Sequence, residues 1–378
     1  MTKFNSGDEL IALVTLNLIP NLGPLRIKRL IDYFGSATKI ISAHEDELSS
    51  VEGIGNSIAR NIVMYRQKTD MGEKEIQLAS KNGVRIVTYL DDKYPPQLKY
   101  LPDAPVLIYI KGEIKDIDIN SVAIVGTRKP TSYGKLAVEH LIKQFSKYKI
   151  TIVSGLAHGI DAVAHECAIK YGLRTIAILG NGLGVYYPAS NRKLQDKIPQ
   201  YGALISEFPY YYRPNKTSFP QRNRIIAALS LGTIVIEADL QSGAMITAKF
   251  TADLGKDVFA VPGSIFSKQS RGTNFLIKTG AKLVTSAEDV MEEIGELSAL
   301  LEQKFASKKT TDEKQVMEEI SDDAKVIMEA IMLEPEGIHI DKLQSVTNME
   351  MNRLMKAIFE LEMANKIKEL PGKIYILV

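Results

Sequence analysis

From residue 84 to residue 285 the chain alternates between short apolar runs and segments of helical period. This alternation restricts its fold more than any other feature. VRIVTY and PVLIYI come first, around the Pro-rich turn DDKYPPQL; SVAIVG, TIVSG, TIAILG, ALISE, TIVIEA, DVFAVPG and AKLVT follow. Amphipathic stretches such as YGKLAVEHLIKQFSKY and GIDAVAHECAIKYG separate most of the later runs. Strands that are apolar at nearly every position must be buried on both faces. The pattern therefore predicts a mostly parallel sheet with helices on either side, an α/β, Rossmann-like core. In such a sheet ligands bind beyond the carboxyl ends of the strands.

The flanks differ. Residues 8–70 read as helical, with two similar hairpins, Ile19–Phe34 and Val51–Arg66. In each, a turn holding Asn or Gly leads into an amphipathic helix. A tandem helix-hairpin-helix domain over 1–70 results, followed by connecting strands over 71–116 packed on a core spanning 117–295. Turns of this kind either offer N–H groups to a backbone phosphate or serve packing, and both readings stay open. Residues 296–320 are polar and charged and read as a partly helical linker. The last segment, 321–378, shows helical stretches at Asp323–Leu333, Ile340–Ser345 and Asn348–Ala364, then a hairpin about Pro371–Gly372. That is the order of a winged helix. Its third helix carries only Arg353 and Lys356 as cations, which suits a protein contact better than base reading.

Net charge is only +2, but residues 117–290 hold 21 Lys and Arg against 12 Asp and Glu. The core thus carries the basic surface expected of a polyanion binder. One cysteine, Cys167, leaves no disulfide framework, and no apolar run reaches membrane-spanning length. The N-terminus, MTKFNSGDELIALV, is acidic where a signal peptide would be basic. These features predict a cytoplasmic protein without membrane contact.

The strand ends are where chemistry collects. Gly126, Thr127 and Arg128 follow the first core strand, Ser154, Gly155 and Gly159 the second, and Asn181 and Gly182 the third. A loop containing three consecutive tyrosines, Tyr210–Tyr212, then leads to SFPQRNRIIAALS, where Phe219, Arg222, Asn223 and Arg224 open a helix. Ser242 and Gly243 close the series, with Thr247 and Lys249 behind them. Glycines admit an anion to backbone N–H groups, hydroxyls donate, and arginine forks match phosphate geometry. Two cations at a helix start repel its dipole unless an anion joins them, so Arg128, Arg222 and Arg224 read as one phosphate track. Aromatic faces beside a basic groove suit unpaired bases, the reading for Phe219; for Tyr210–Tyr212 that reading and a lid packing its own aromatics both stay open.

Other chemistry is weaker. His158, Asp161 and His165 favour a structural Asp161–His165 hydrogen bond over a metal site, which wants a third ligand and an open position. Glu207 and Glu237 read as the ends of adjacent strands, a carboxylate pair fit for hydrolysis. No GxSxG, GxxxxGK[ST] or HExxH sequence occurs. Neither a cofactor nor a metal is called for.

VGTRKPTSYG, SGLAHGIDAVAH, GNGLGVYYPASN, SEFPYYYRPNKTSFPQRNRIIAALS, EADLQSGAMITA, DVFAVPG and GTNFLIKTGA occur in this order. Together they resemble the motifs of the DNA-processing protein A family (DprA, also called Smf) over roughly Asp91–Asp289. The resemblance implies a non-enzymatic protein that binds single-stranded DNA without sequence preference, protects incoming strands in natural transformation and loads the RecA recombinase. It further implies a homodimer through the core. It places the anion-binding signature on Gly126–Arg128, Ser154–Gly155, Gly159, Arg222–Arg224 and Ser242–Gly243. The rival on the same broad fold is a nucleotide-cleaving phosphoribohydrolase, whose PGGxGTxxE loop is replaced here by EADLQSGAMITA.

Overall fold

The computed structural model describes residues 6–66, 70–295, 297, 321–334, 337–363, 366–370 and 372–377. They fall into two compact units, one through Leu297 and one from Ser321. Apart from Leu297, the expected linker lies outside the described residues.

The first unit opens with six helices: α1 (Ser6–Leu18), α2 (Pro24–Phe34), α3 (Ala37–Ser42), α4 (Glu45–Ser49), α5 (Asn56–Arg66) and α6 (Met71–Lys81). The two hairpins are present, with α2 and α5 as their second helices. Asn21 adopts φ 63° and Gly53 φ 81°, the left-handed turn that asparagine tolerates and glycine takes freely. Arg26 ties the two turns, donating from Nε to the Gly53 carbonyl (3.1 Å) and from a guanidinium nitrogen to that of Asn21 (2.9 Å).

Strands β1 (Val84–Thr88), β2 (Leu107–Gly112), β3 (Ser121–Val125), β4 (Thr151–Ser154), β5 (Thr175–Ile178), β6 (Gly202–Ser206), β7 (Gly232–Val235), β8 (Asp257–Ala260) and β9 (Lys282–Leu283) form one sheet. Its order is β1-β2-β6-β5-β4-β3-β7-β8-β9. From β6 to β9 all pairings are parallel; β1 and β2 add antiparallel at one end. The helices between strands are α7 (Ser132–Phe145), α8 (Ile160–Lys170), α9 (Arg192–Lys197), α10 (Ser218–Leu229), α11 (Gly243–Asp253) and α12 (Arg271–Lys278), with α13 (Ala287–Glu293) last.

The apolar runs are continuous because both faces are covered. Ala123, Val125, Val153, Ile176 and Ile178 pack with Ile225, Ile226 and Leu229 of α10 and with Ala244 and Ala248 of α11. Side chains alternate along a strand, so Val122 and Ile124 face the other way; they too are fully buried. Helices α7 and α8 pack together, and α8 lies against β3 and β4. The chain moves outward from β3 to β6 on one side and from β7 to β9 on the other. The strand order therefore reverses between β3 and β7, the place where sheets of this kind open a crevice.

The N-terminal helices are fastened to this sheet by a shared core. Leu13 and Leu16 of α1 cluster with Leu107, Tyr109, Leu179, Leu204 and Tyr210. The Tyr210 N–H also donates to the Glu75 carboxylate at 2.6 Å.

The second unit has α14 (Asp322–Met332), β10 (Ile338–His339), α15 (Ile340–Thr347), α16 (Met351–Met363), β11 (Ile367–Leu370) and β12 (Ile374–Leu377). It is a winged helix, with one strand more than expected because β10 pairs with β12. Pro371 lies outside the described residues; Gly372 turns at φ 91°. On α16, Arg353 is bound to Asp323 through two hydrogen bonds (2.9 and 2.5 Å), while Met351, Met355 and Phe359 are exposed.

At Gly202 the parallel part of the sheet meets the antiparallel part, and a Cβ there would collide with the carbonyl of Thr175 on β5. Gly202→Ala is expected to lower stability by about 3 kcal/mol, read from the urea midpoint. A loss under about 0.5 kcal/mol would show that the backbone gives way instead.

Candidate nucleic-acid interface

The crevice at the β3/β7 reversal is a pocket of about 740 Å³. Five connections meet there: Val125–Lys129 at and after the end of β3, Ala157 and Asp161 after β4, Tyr187 after β5, Asp239 and Gln241–Ala244 after β7, and Lys268–Gln269 after β8. Helix α10 and the residue before its cap supply Lys216, Phe219, Pro220, Arg222, Asn223 and Ile226. Of the residues expected at the site, Gly126, Thr127, Arg128, Phe219, Arg222, Asn223, Ser242, Gly243 and Thr247 line this one pocket.

The local geometry follows from backbone needs. Thr127 donates its N–H to the Glu237 carbonyl (2.7 Å), which closes the β3 end onto the β7 end. Thr127 Oγ1 in turn accepts from the Lys129 N–H at 3.2 Å, bending the chain so that Arg128 and Lys129 stay exposed. Ser242 caps α11 through the Ala244 N–H. Arg128 lies over the Phe219 ring at 5.5 Å, and Phe219 meets Tyr187 at 5.3 Å, so a cation and two aromatics layer along one wall.

The arginines of SFPQRNRIIAALS do not stand at a helix start. Asn215 Oδ1 accepts from the Thr217 N–H and the Ser218 N–H, both at 2.9 Å, and α10 begins at Ser218. Arg222 is therefore in the second turn and 4% exposed. Its guanidinium donates to the carbonyls of Gly155 and Ile178, and Nε donates to Asn223 Oδ1 at 3.1 Å. Burial lowers its pKa to about 10, with Asp161 opposing, so it stays charged at neutral pH. It forms the pocket floor.

Arg224 corrects the expected track. It is 2% exposed, lies outside the pocket, and is paired with Glu207 (2.5 Å) and Asp103 (3.0 Å). Buried and turned towards these carboxylates, its guanidinium does not reach the pocket where a phosphate would lie.

Other expected residues turn inward. Ser154 donates to the Ile124 carbonyl (2.6 Å) and Asn181 to the Val185 carbonyl (2.9 Å). Gly182 packs on the carbonyls of Pro209 and Tyr210, and Gly159, at φ 82°, packs against the Thr127 and Arg128 backbone. Gly155 and Asn181 line a narrow cleft beside the pocket together with Arg128, His158 and Phe219. Lys249 sits exposed on α11, outside the pocket. Tyr210 is buried and Tyr212 stacks on Phe208 at 4.5 Å, which leaves Tyr211 exposed. Missed by the sequence reading were Lys216, Gln241 and Lys268. Their spacing carries no signal; what marks them is that each lies in a loop following a strand at the same carboxyl edge.

The expected carboxylate pair is absent. Strands β6 and β7 are separated by β5, β4 and β3, so Glu207 and Glu237 end distant strands. Glu207 serves Arg224; Glu237 accepts from the Thr131 N–H (2.9 Å) and hydroxyl (2.6 Å). Nor does Asp161 bond His165: Asp161 accepts from the Ala157 N–H, and His165 Nδ1 meets Thr175 Oγ1 at 2.7 Å. Thr175 gives its hydroxyl hydrogen to the Ile152 carbonyl, so His165 carries its proton on Nδ1. Among the described residues no three His, Cys, Asp or Glu side chains gather as a metal group.

Burial pushes the His165 imidazolium pKa down to about 3, with Arg222 adding in the same direction. The unfolded chain binds that proton near its ordinary value of about 6.5. The resulting stability is present above pH ~6.5 and lost as pH falls towards 3, about 2 kcal/mol of it by pH 5. Urea unfolding at neutral pH and at pH 5 should show this loss in the wild type, and His165→Gln should remove that share of it.

Residues 85–295 match the family DNA recombination-mediator protein A, residues 13–73 a helix-hairpin-helix motif, and residues 309–373 the DprA winged helix domain. The chain is 31% identical to protein Smf of Synechocystis sp. over 94% of its own length and 96% of that protein's. It is 46% identical to DNA processing protein DprA of Streptococcus pneumoniae over 54% of this chain and 72% of that one. The solved Streptococcus pneumoniae DprA structure superposes with a TM-score of 0.66 at 35% identity, covering 76% of this chain and 98% of that one. DNA processing protein A from Helicobacter pylori, whose structure concerns its single-stranded DNA binding mode, gives 0.51 at 33% identity, covering 58% and 97%. With the family match spanning more than half of its residues and the full-length relative alongside, the chain belongs to the DNA recombination-mediator protein A family.

Proposed function

We propose that this protein binds single-stranded DNA without regard to sequence, protects incoming strands in natural transformation and loads the RecA recombinase onto them. The observation that carries the reading is the pocket at the β3/β7 reversal. There Arg128, Lys129, Lys216 and Lys268 are exposed around Phe219 and Tyr187. Cations follow a phosphate chain, and aromatic faces accept any base. The related protein from Helicobacter pylori, studied for its single-stranded DNA binding, supports the same ligand. Family membership supports the recombination role.

In this reading Arg222 acts on the strand through its field and by shaping the floor, while Arg128 and Lys216 meet phosphates directly. Gly126, Thr127, Ser242 and Gly243 offer backbone and hydroxyl donors at the rim. The protein works by binding, without turnover, in the cytoplasm. Cys167 is buried and its thiol is pushed up to about 11, which suits a reduced compartment. No helix among the described residues is long and apolar enough to cross a membrane. The homodimer forms through the open edge of the core, where the two-residue strand β9 exposes Leu283 and α12 exposes Phe275. The winged helix serves protein contact, with Met351, Met355 and Phe359 outward.

Anisotropy with labelled oligo(dT) tests the reading. About four phosphate contacts at about −0.7 each give a slope of log affinity against log salt near −3. Arg128→Ala and Lys216→Ala should each flatten it by about 0.7 and weaken all sequences alike. A salt-independent affinity would overturn the proposal. Arg224→Ala acts elsewhere: it strands the Glu207 carboxylate and should cost roughly 3–5 kcal/mol of stability. Release of free base from nucleoside monophosphates would instead favour the phosphoribohydrolase reading.

A further inference from the structure

Between β8 and α12 the chain makes the tight turn Ser264–Ser267, closed by the Ser267 N–H on the Ser264 carbonyl at 3.0 Å. Its two central residues are Ile265 and Phe266, 80% and 92% exposed. Among the described residues neither is covered, and a phenylalanine left this exposed forgoes the gain of burial.

The turn is held rigidly. Phe266 donates its N–H to Ser264 Oγ (3.3 Å), and the Ser270 N–H binds the Ser267 carbonyl (3.1 Å). At the base, Asn274 clasps Gly263 from both sides: its Nδ2 donates to the Gly263 carbonyl (3.0 Å) and its Oδ1 accepts from the Gly263 N–H (3.3 Å). The Gln269 carbonyl accepts from the Ala238 N–H (2.6 Å), and Gly272 returns a bond to the Ala238 carbonyl (2.7 Å). The ring is thus presented on a fixed base beside the β7 end.

Its surroundings are those of the pocket. Lys268 and Gln269, two and three residues further on, line the pocket itself. Lys268 lies 3.5 Å from Asp239 on the rim, and Arg271 is exposed at the start of α12. A free aromatic alternating with cations along one edge continues the arrangement of Arg128 and Phe219 across the pocket.

We propose that Phe266, with Ile265 beside it, is a second base-stacking subsite for the same single strand, taking a nucleotide that has passed Lys268 beyond the pocket. The inference rests on the single-strand reading of the pocket. It adds a length requirement: a short strand fills the pocket alone, and a longer one also reaches the turn.

The chain contains no tryptophan, so Phe266→Trp places one reporter at the subsite. Its fluorescence should be quenched by oligo(dT) of about 15 nucleotides and left unchanged by about four. Phe266→Ala should weaken the longer oligonucleotide about tenfold while changing the shorter by less than about twofold, and Phe266→Tyr should restore it. If the wild type binds no oligo(dT), the single-strand reading falls and this inference with it. If it binds and Phe266→Ala binds the longer strand equally well, this inference alone is overturned. A Phe266→Ala variant whose oligomeric state changes in sedimentation without DNA, with affinity for both strands unchanged, would make the turn a contact between copies and overturn the subsite.

Discussion

One buried cation sets the geometry on which the site depends. The guanidinium of Arg222 binds the last carbonyl of β5 and the carbonyl just past β4, so it fixes the spacing of two neighbouring strands to α10. Both carbonyls belong to buried residues at the strand ends, and without the arginine each would lose this donor. Asp161 lies close enough to oppose the depression of the arginine's pKa, and burial raises its own. Phe219, one turn earlier on α10, and Asn223, next in the chain, take their places from the same anchor. A residue that reads as a ligand-binding arginine is first the fastening of the wall that faces the ligand.

The fold was largely legible in the chain. Near-continuous apolar strands such as SVAIVG and TIAILG cannot be half-exposed, and helical stretches between them force parallel crossovers. What pattern alone did not reveal was the order across the sheet. That order separates Glu207 from Glu237 and puts β1 and β2 on the far side of β6. Strand β10 escaped notice because two residues carry no period.

The site was legible at the level of loops and not of individual arginines. Asn215 starts α10 four residues before Arg222, a side-chain turn that a reading of hydrophobic periods passes over. Once the helix starts at Ser218, Arg222 and Arg224 stand about 200° apart around it and cannot serve one surface. One faces the crevice and the other the buried carboxylate of Glu207 and the half-exposed one of Asp103. Lys216 and Lys268 went unremarked because single lysines in polar loops carry no spacing signal; only their convergence marks them.

The antiparallel edge has a consequence for the making of the protein. Strand β2 pairs with β1 at once, but its other neighbour, β6, lies roughly ninety residues further along. During synthesis the β1–β2 hairpin leaves the ribosome well before its partner, with one row of peptide groups unpaired and Leu107 and Tyr109 uncovered by the later sheet. Strands left open in this way invite association between nascent chains. The residues that finally share a core with Leu107 and Tyr109 include Leu13 and Leu16, which precede them in translation. The N-terminal helices are thus already present to shelter the hairpin while the rest of the sheet is still being made, a chaperone-like service within a single chain.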